Sequence, residues 1–161
     1  MYRVGAVSLR SKLARPGEFV TLEEELRHVR SYLELEEARF GPQLRVTIDA
    51  APDALAVRLP PLVVQPLVEN AIKHGKTDRP LNLLVRARVR RGRLRITVRD
   101  DGRGIARDAI ERVLESGVGE GTGLGLDIAY RIIRKIKGLI TVKSVPGDTR
   151  FEVRIPIKPR V

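Results

Sequence analysis

Hydrophobic positions along the chain change period from one segment to the next, and each change marks an element. Val64, Leu67, Val68, Ala71 and Ile72 recur at i, i+3, i+4, i+7 and i+8. That spacing makes one apolar stripe on a helix that ends at Gly75. Leu22, Leu26, Val29, Leu33 and Phe40 lie near one face of an earlier helix. Thr21 with Glu24 forms a capping box at its start, and Gly41 and Pro42 stop it. Ala106 to Ser116 reads as a short helix. Leu124, Ile128, Ala129, Ile132, Ile133 and Ile136 line one face of another, closed by Gly138.

Between the helices the period drops to two. Leu44 to Ile48, "LRVTI", alternates as a half-buried strand does, and a short extended piece around Leu55 to Leu59 precedes the second helix. The runs Leu83 to Val89 and Leu94 to Val98 meet at Arg91 and Gly92 as a hairpin. "LITVKS" and "RFEVRIPI" form a second, turning at Pro146, Gly147 and Asp148. Residues 1–20 show weak periodicity, with a turn at Arg15, Pro16 and Gly17. Helices alternating with hairpins predict an α/β sandwich, a sheet covered by helices on one face.

Composition narrows the field. The 161 residues are enough for one self-sufficient core, and the lack of cysteine rules out disulfides and thiolate metal sites. No apolar run approaches a membrane span, and the N-terminus lacks the form of a signal peptide. A cytoplasmic domain with no membrane contact of its own is expected, leaving open whether a parent protein is anchored in the inner membrane. The 31 basic against 20 acidic residues give +11, which favours phosphate-bearing partners. Yet Arg86, Arg88, Arg90, Arg93, Arg95 and Arg99 alternate with apolar residues, as on the wet face of a sheet. With aromatics at 4%, stacking platforms for single strands are scarce, so nucleic acid is not expected as the main partner.

Three stretches carry chemistry. In "QPLVENAIKHG" the helix sets Glu69, Asn70, Lys73 and His74 along the arc opposite its apolar stripe. Asparagine is a poor interior helix former, so Asn70 points to a use beyond the helix, against the plainer reading of a solvated face. Its oxygen suits Mg²⁺, and Lys73 and His74 suit phosphate. On that exposed arc, Asn70 is expected to be dispensable for folding. In "RDDGRGI" a strand empties into Asp100, Gly102 and Gly104. A carboxylate there can accept a hydrogen bond from an exocyclic amine on a pocket floor, or the stretch is an ordinary turn. In "GTGLGL", Gly121, Thr122, Gly123, Leu124 and Gly125 run into a helix N-terminus, an arrangement that binds phosphate or serves as a flexible loop. No Gly-Lys-Ser/Thr follows, and no strand precedes it, so it is neither a Walker loop nor a dinucleotide fingerprint.

In this order the three stretches resemble the N, G1 and G2 boxes of the catalytic ATP-binding domain of sensor histidine kinases, in the superfamily shared with gyrase, Hsp90 and MutL. "TLEEELRHVRSYLELEEARFG", "PPLVVQPLVENAIKHG" and the closing "GLITVKSVPGDTRFEVRIP" are similar to the LytS-type branch. The resemblance implies a Bergerat fold, a two-layer α+β sandwich with a mixed sheet, spanning residues 21–161. Residues 1–20 resemble the tail of an upstream dimerisation region or linker. It implies ATP and Mg²⁺ as cofactors, with Asn70 ligating the metal and Asp100 binding the adenine amino group. Gly102 and Gly104 would shape the base pocket, and Gly121, Gly123 and Gly125 would cradle phosphates. A lid would run from about Ile105 to Glu120 with hinges at Gly117 and Gly119.

Two departures from the family pattern matter. Where the superfamily's hydrolases carry a glutamate base one turn before the asparagine, this chain has Pro66, which cannot take a proton. A neutral imidazole acceptor needs less help, and Glu69 can polarise a water or assist it. Second, the only histidines, His28 and His74, do not match the family's upstream acceptor motif. The chain therefore resembles a fragment, or a module acting on a partner. Its expected role is to pass the γ-phosphoryl group of ATP to a histidine on a dimerisation domain, with a response regulator downstream. An ATP-controlled conformational switch without transfer is the alternative, and a basic nucleic-acid-binding domain a more distant one.

Overall fold

The computed structural model describes residues 18–75, 77–116 and 126–157. Strand β1 (Val20–Thr21) leads into helix α1 (Leu22–Phe40). The capping box forms: Glu24 N donates to Thr21 Oγ1 at 3.1 Å, and Thr21 N donates to Glu24 Oε1 at 3.3 Å. Gly41, at φ 58°, ends the helix in a conformation that a side chain would strain. Strand β2 (Leu44–Ala50) follows, then a single turn α2 (Pro52–Leu55) and strand β3 (Arg58–Leu59). The extended piece expected around residues 55–59 is thus confined to β3. Pro52 starts a helical turn in its place, which its fixed φ suits.

Helix α3 (Val64–Gly75) is followed by the hairpin of β4 (Leu81–Arg90) and β5 (Arg93–Asp100). Helices α4 (Arg107–Ser116) and α5 (Asp127–Lys135) precede the closing hairpin of β6 (Leu139–Val145) and β7 (Asp148–Pro156). The main sheet has the order β2-β4-β5-β7-β6, parallel between β2 and β4 and antiparallel elsewhere. It is a mixed sheet with its helices packed on one face.

Alternation decides which face. Leu83, Val85, Ala87, Leu94, Ile96, Val98, Phe151, Val153 and Ile155 point inward and are buried with the stripes of α1 and α3. On α5 the buried stripe is narrower than its sequence implies. Leu126, Ala129 and Ile133 are buried, whereas Ile128, expected on the same face, is 54% exposed. It lies one residue, about 100°, off the stripe.

The opposite face of the sheet carries the arginines. Arg88, Arg95 and Arg154 stand in register across β4, β5 and β7, as do Arg99, Arg150 and Lys143 across β5, β7 and β6. Like charges directly opposed are destabilising. Three carboxylates sit between pairs of them: Asp49 between Arg86 and Arg88 at 3.2 and 2.8 Å, Asp148 between Arg99 and Arg150 at 3.0 and 3.3 Å, and Glu152 nearer Arg154 than Arg95, at 2.7 and 3.9 Å. The hydrogen bond from Arg88 holds the Asp49 carboxyl below its ordinary pKa, and that from Arg150 does the same for Asp148. No helix among the described residues is long and apolar enough to cross a membrane.

Phe151 is among the largest fully buried side chains of the core, in register with Val98 on one side and Val142 on the other. Phe151→Ala is expected to destabilise the fold by ~3–5 kcal/mol in urea titrations. A loss below about 1 kcal/mol would place the core elsewhere.

Candidate functional site

Alternation along β5 explains the first site residue. Leu94, Ile96 and Val98 face the core, and the next position on that face is Asp100, 4% exposed at the end of the strand. Its Oδ1 accepts the Gly102 N–H at 2.9 Å. Burial is the main cause that pushes the Asp100 carboxyl up to about 6, with smaller contributions from Asp101 and Asp148, against the opposing hydrogen bond from Gly102. Asp101 does different work. It accepts from Asn82 N at 2.8 Å and from Asn82 Nδ2 at 2.7 Å, fastening the turn to the start of β4.

Glycine brings α3 to that turn. A Cβ on Gly102 would lie 2.2 Å from the Gly75 carbonyl oxygen, so the helix end and the turn approach more closely than any side chain permits. Arg103 Nε donates to the His74 carbonyl at 2.8 Å, placing a cation at the helix C-terminus, where the dipole favours it. Gly104 has φ 89°, and Gly147 N donates to Gly102 O at 2.8 Å, so the turn of the closing hairpin seals the base of the site.

These contacts shape a small cleft that is open to solvent. Helix α3 contributes Asn70, Ala71, His74 and Gly75, and the other wall is Asp100, Gly104, Ile105 and Thr149. Of the residues singled out from the sequence, Asn70, His74, Asp100 and Gly104 share this cleft. Gly102 lies under it, against Gly75. Glu69 and Lys73 are not among the lining residues: Glu69 Oε1 accepts from Gln65 Nε2 at 3.0 Å, and Lys73 is exposed. Gly121, Thr122, Gly123, Leu124 and Gly125, with the hinge positions Gly117 and Gly119 and the tail up to residue 17, lie outside the described residues.

Asn70 is not on an exposed arc. It is 3% exposed, and it lines the cleft with Asp100 and Gly104 on the flank that a wheel diagram leaves open. Neither its Oδ1 nor its Nδ2 finds a hydrogen-bond partner among the described residues. Such a buried amide costs ~1–3 kcal/mol, so folding alone does not account for it.

Thr149 and Ser144 are site features that the motifs did not reveal. Thr149 is buried opposite Asp100 in the β5–β7 register, and its Oγ1 is 2.7 Å from Ser144 Oγ. Ile105 N donates to Ser144 Oγ at 2.8 Å, tying the segment after the turn to β6. The signal was the hairpin register, which sets Thr149 beside Asp100 once both strands are aligned.

Comparison with known proteins now defines the class. The family model described as "Histidine kinase-, DNA gyrase B-, and HSP90-like ATPase" matches residues 57–159, and a histidine kinase model matches residues 6–44. The chain belongs to the histidine kinase-, DNA gyrase B- and HSP90-like ATPase family. It is 36% identical over 152 residues to the sensor histidine kinase BtsS of Escherichia coli K12, covering 91% of this chain and 26% of that protein. It is also 36% identical over 146 residues to the sensor histidine kinase/phosphatase LytS of Staphylococcus aureus N315, covering 85% of this chain and 25% of that one. The chain thus spans about a quarter of the length of these curated relatives. Among solved structures, the histidine kinase domain of the Erythrobacter litoralis blue-light activated kinase superposes with TM-score 0.67 at 26% identity, over 86% of this chain and 62% of that one. The catalytic domain of the histidine kinase ThkA shares the fold, with TM-score 0.71 at 22% identity, over 87% of this chain and 96% of its own.

The buried Asp100 gives a pH signature. Its folded pKa is raised, so the stability that its proton contributes is complete below about pH 4 and lost as pH rises through about 6. Asp100→Asn does not titrate and keeps an acceptor for Gly102 N–H. The variant should gain on the wild type by up to ~3 kcal/mol between about pH 4 and pH 7, read as the difference between paired urea titrations. A pH-independent difference would show that the carboxyl is well solvated.

Proposed function

We propose that the cleft binds Mg·ATP and that this chain is the catalytic ATP-binding domain of a two-component sensor histidine kinase, passing the γ-phosphoryl group to a histidine outside the ATPase fold. The observation that carries the reading is the Asn70 amide, buried without a hydrogen-bond partner among the described residues in the same cleft as a buried carboxylate. A nucleotide needs both. The Asp100 carboxylate offers an acceptor for the base amine, and Gly102 and Gly104 let the backbone pass close to a flat ring. Asn70 Oδ1 is the neutral oxygen that Mg²⁺ accepts from protein while keeping most of its waters. When bound, the metal supplies neutralisation of phosphate charge.

Other assignments follow from place. Lys73, exposed near the end of α3, is assigned to phosphate charge and His74 to the cleft wall beside it. The stretch from Gly121 to Gly125 is assigned to the phosphates. Pro66 lies in the first turn of α3, so no base stands one turn before Asn70. That composition suits transfer to a neutral imidazole better than hydrolysis or transfer to a hydroxyl. Glu69, bonded to Gln65, is the remaining carboxylate of the helix for assisting the acceptor. A dimerisation domain bearing that histidine and a response regulator are the proposed partners, and the cytoplasm the proposed location.

Calorimetric titration with ATP and GTP, each with and without Mg²⁺, tests the reading. Selective ATP binding strengthened by Mg²⁺ is expected, and equal affinity for GTP or indifference to Mg²⁺ would contradict it. Asn70→Ala should lose at least about tenfold in Mg·ATP affinity while leaving the free protein equally or more stable, since the buried unpaired amide is gone. A variant that binds Mg·ATP like the wild type removes Asn70 from the metal site. Phosphohistidine formed on a dimerisation segment supplied in trans separates a kinase from an ATP-controlled switch.

A further inference from the structure

Helix α3 begins without the usual provisions. It has no acidic residue in its first turn. Of its first four N–H positions, which have no partner within a helix, one is Pro66 and lacks the hydrogen altogether. Two of the remaining three are met from another helix. Glu25 of α1 is fully buried, and its Oε2 accepts from Val64 N at 3.2 Å and Gln65 N at 3.4 Å. Its Oε1 accepts from Leu62 N at 3.4 Å, on the residue whose φ of 68° turns the chain into the helix. A side chain with left-handed φ at that point is strained, and the carboxylate bonds the N–H groups on both sides of the bend.

We infer that Glu25 is a positioning residue for the nucleotide site, holding α3 so that Asn70 stays in the cleft; the inference rests on the nucleotide reading above. Helix α3 is gripped at both ends by charges of the sign its dipole prefers: the Glu25 carboxylate at its N-terminus and the Arg103 guanidinium on the His74 carbonyl at its C-terminus. Asn70 lies six residues after Val64, ~9 Å along the axis, between the two grips. Asp100 and Gly104 stand on the opposite wall, carried by β5 and its turn. Releasing the N-terminal grip therefore moves the metal-ligating half of the site and leaves the base-binding half in place. Helix α1 thereby becomes part of the machinery of the ATP site, although none of its residues lines the cleft.

The test compares Glu25→Gln with the wild type and with Glu23→Gln, an exposed change on the same helix. Glutamine keeps the volume but removes the charge and turns an NH₂ group toward N–H donors. Calorimetry with Mg·ATP and with adenosine alone supplies the readout, after circular dichroism has shown each variant folded. Glu25→Gln is expected to weaken Mg·ATP at least about tenfold while adenosine stays within about twofold, and Glu23→Gln to change neither. Unchanged Mg·ATP affinity overturns the inference. So does an equal loss for both ligands, which is what a merely structural role produces. Hydrogen exchange on the wild type guards against a variant that fails to fold: Val64 and Gln65 amides should be protected despite their place in a first turn, and free exchange there overturns the grip. Failure of the wild type to bind either ligand overturns the nucleotide reading and the positioning role with it. Loss confined to the variant's Mg·ATP supports both.

Discussion

The site depends on one approach of backbone to backbone. Gly102 lies against the Gly75 carbonyl at a distance that leaves no room for a Cβ, and everything around the cleft follows from it. Because the helix end meets the turn there, the flank of α3 bearing Asn70 and His74 closes over the carboxylate at the end of β5. Two polar groups that are expensive to bury are thereby placed on facing walls: an amide without a hydrogen-bond partner among the described residues and a carboxyl pushed up to about 6. A fold selected only for stability has cheaper side chains for both positions. In the reading proposed for the cleft, a bound nucleotide supplies a partner to each.

The two faces of the sheet divide the remaining labour. The inner face carries the aliphatic residues and Phe151, buried with the stripes of α1 and α3. The outer face takes the arginines, and with them much of the net charge of +11. Rows such as Arg88, Arg95 and Arg154 repel across strands, and the shared carboxylates of Asp49, Asp148 and Glu152 offset that repulsion. At the surface such pairs add little stability of their own. The charge that first pointed towards nucleic acid is therefore carried largely by the outer face of the sheet, on the side away from the helices.

Much of this was legible in the chain because local chemistry and global fold agree. The Thr21–Glu24 box, the apolar stripe of α3 and both hairpins formed where their periodicities put them, and the box motifs led to the family. What escaped depended on distance in sequence. A helical wheel places Asn70 opposite the stripe and calls it exposed, since it knows nothing of the tertiary packing that sets Asp100 and Gly104 in the same cleft. Glu25 looks like one more glutamate in an acidic first turn, and only the packing of α1 on α3 buries it. Thr149 carries no motif, and its meeting with Asp100 is set by register across β5 and β7. Ile128 was misplaced for a simpler reason: a stripe of six residues is wider than the face that α5 presents to the sheet.

A crystal structure with Mg²⁺ and a non-hydrolysable ATP analogue addresses the central claim most directly. The expected result is a base whose exocyclic amine reaches the Asp100 carboxylate, with a metal on Asn70 Oδ1 and the phosphates leading towards the Gly121 to Gly125 stretch. Nucleotide bound away from this cleft, or a metal site without Asn70, would contradict it.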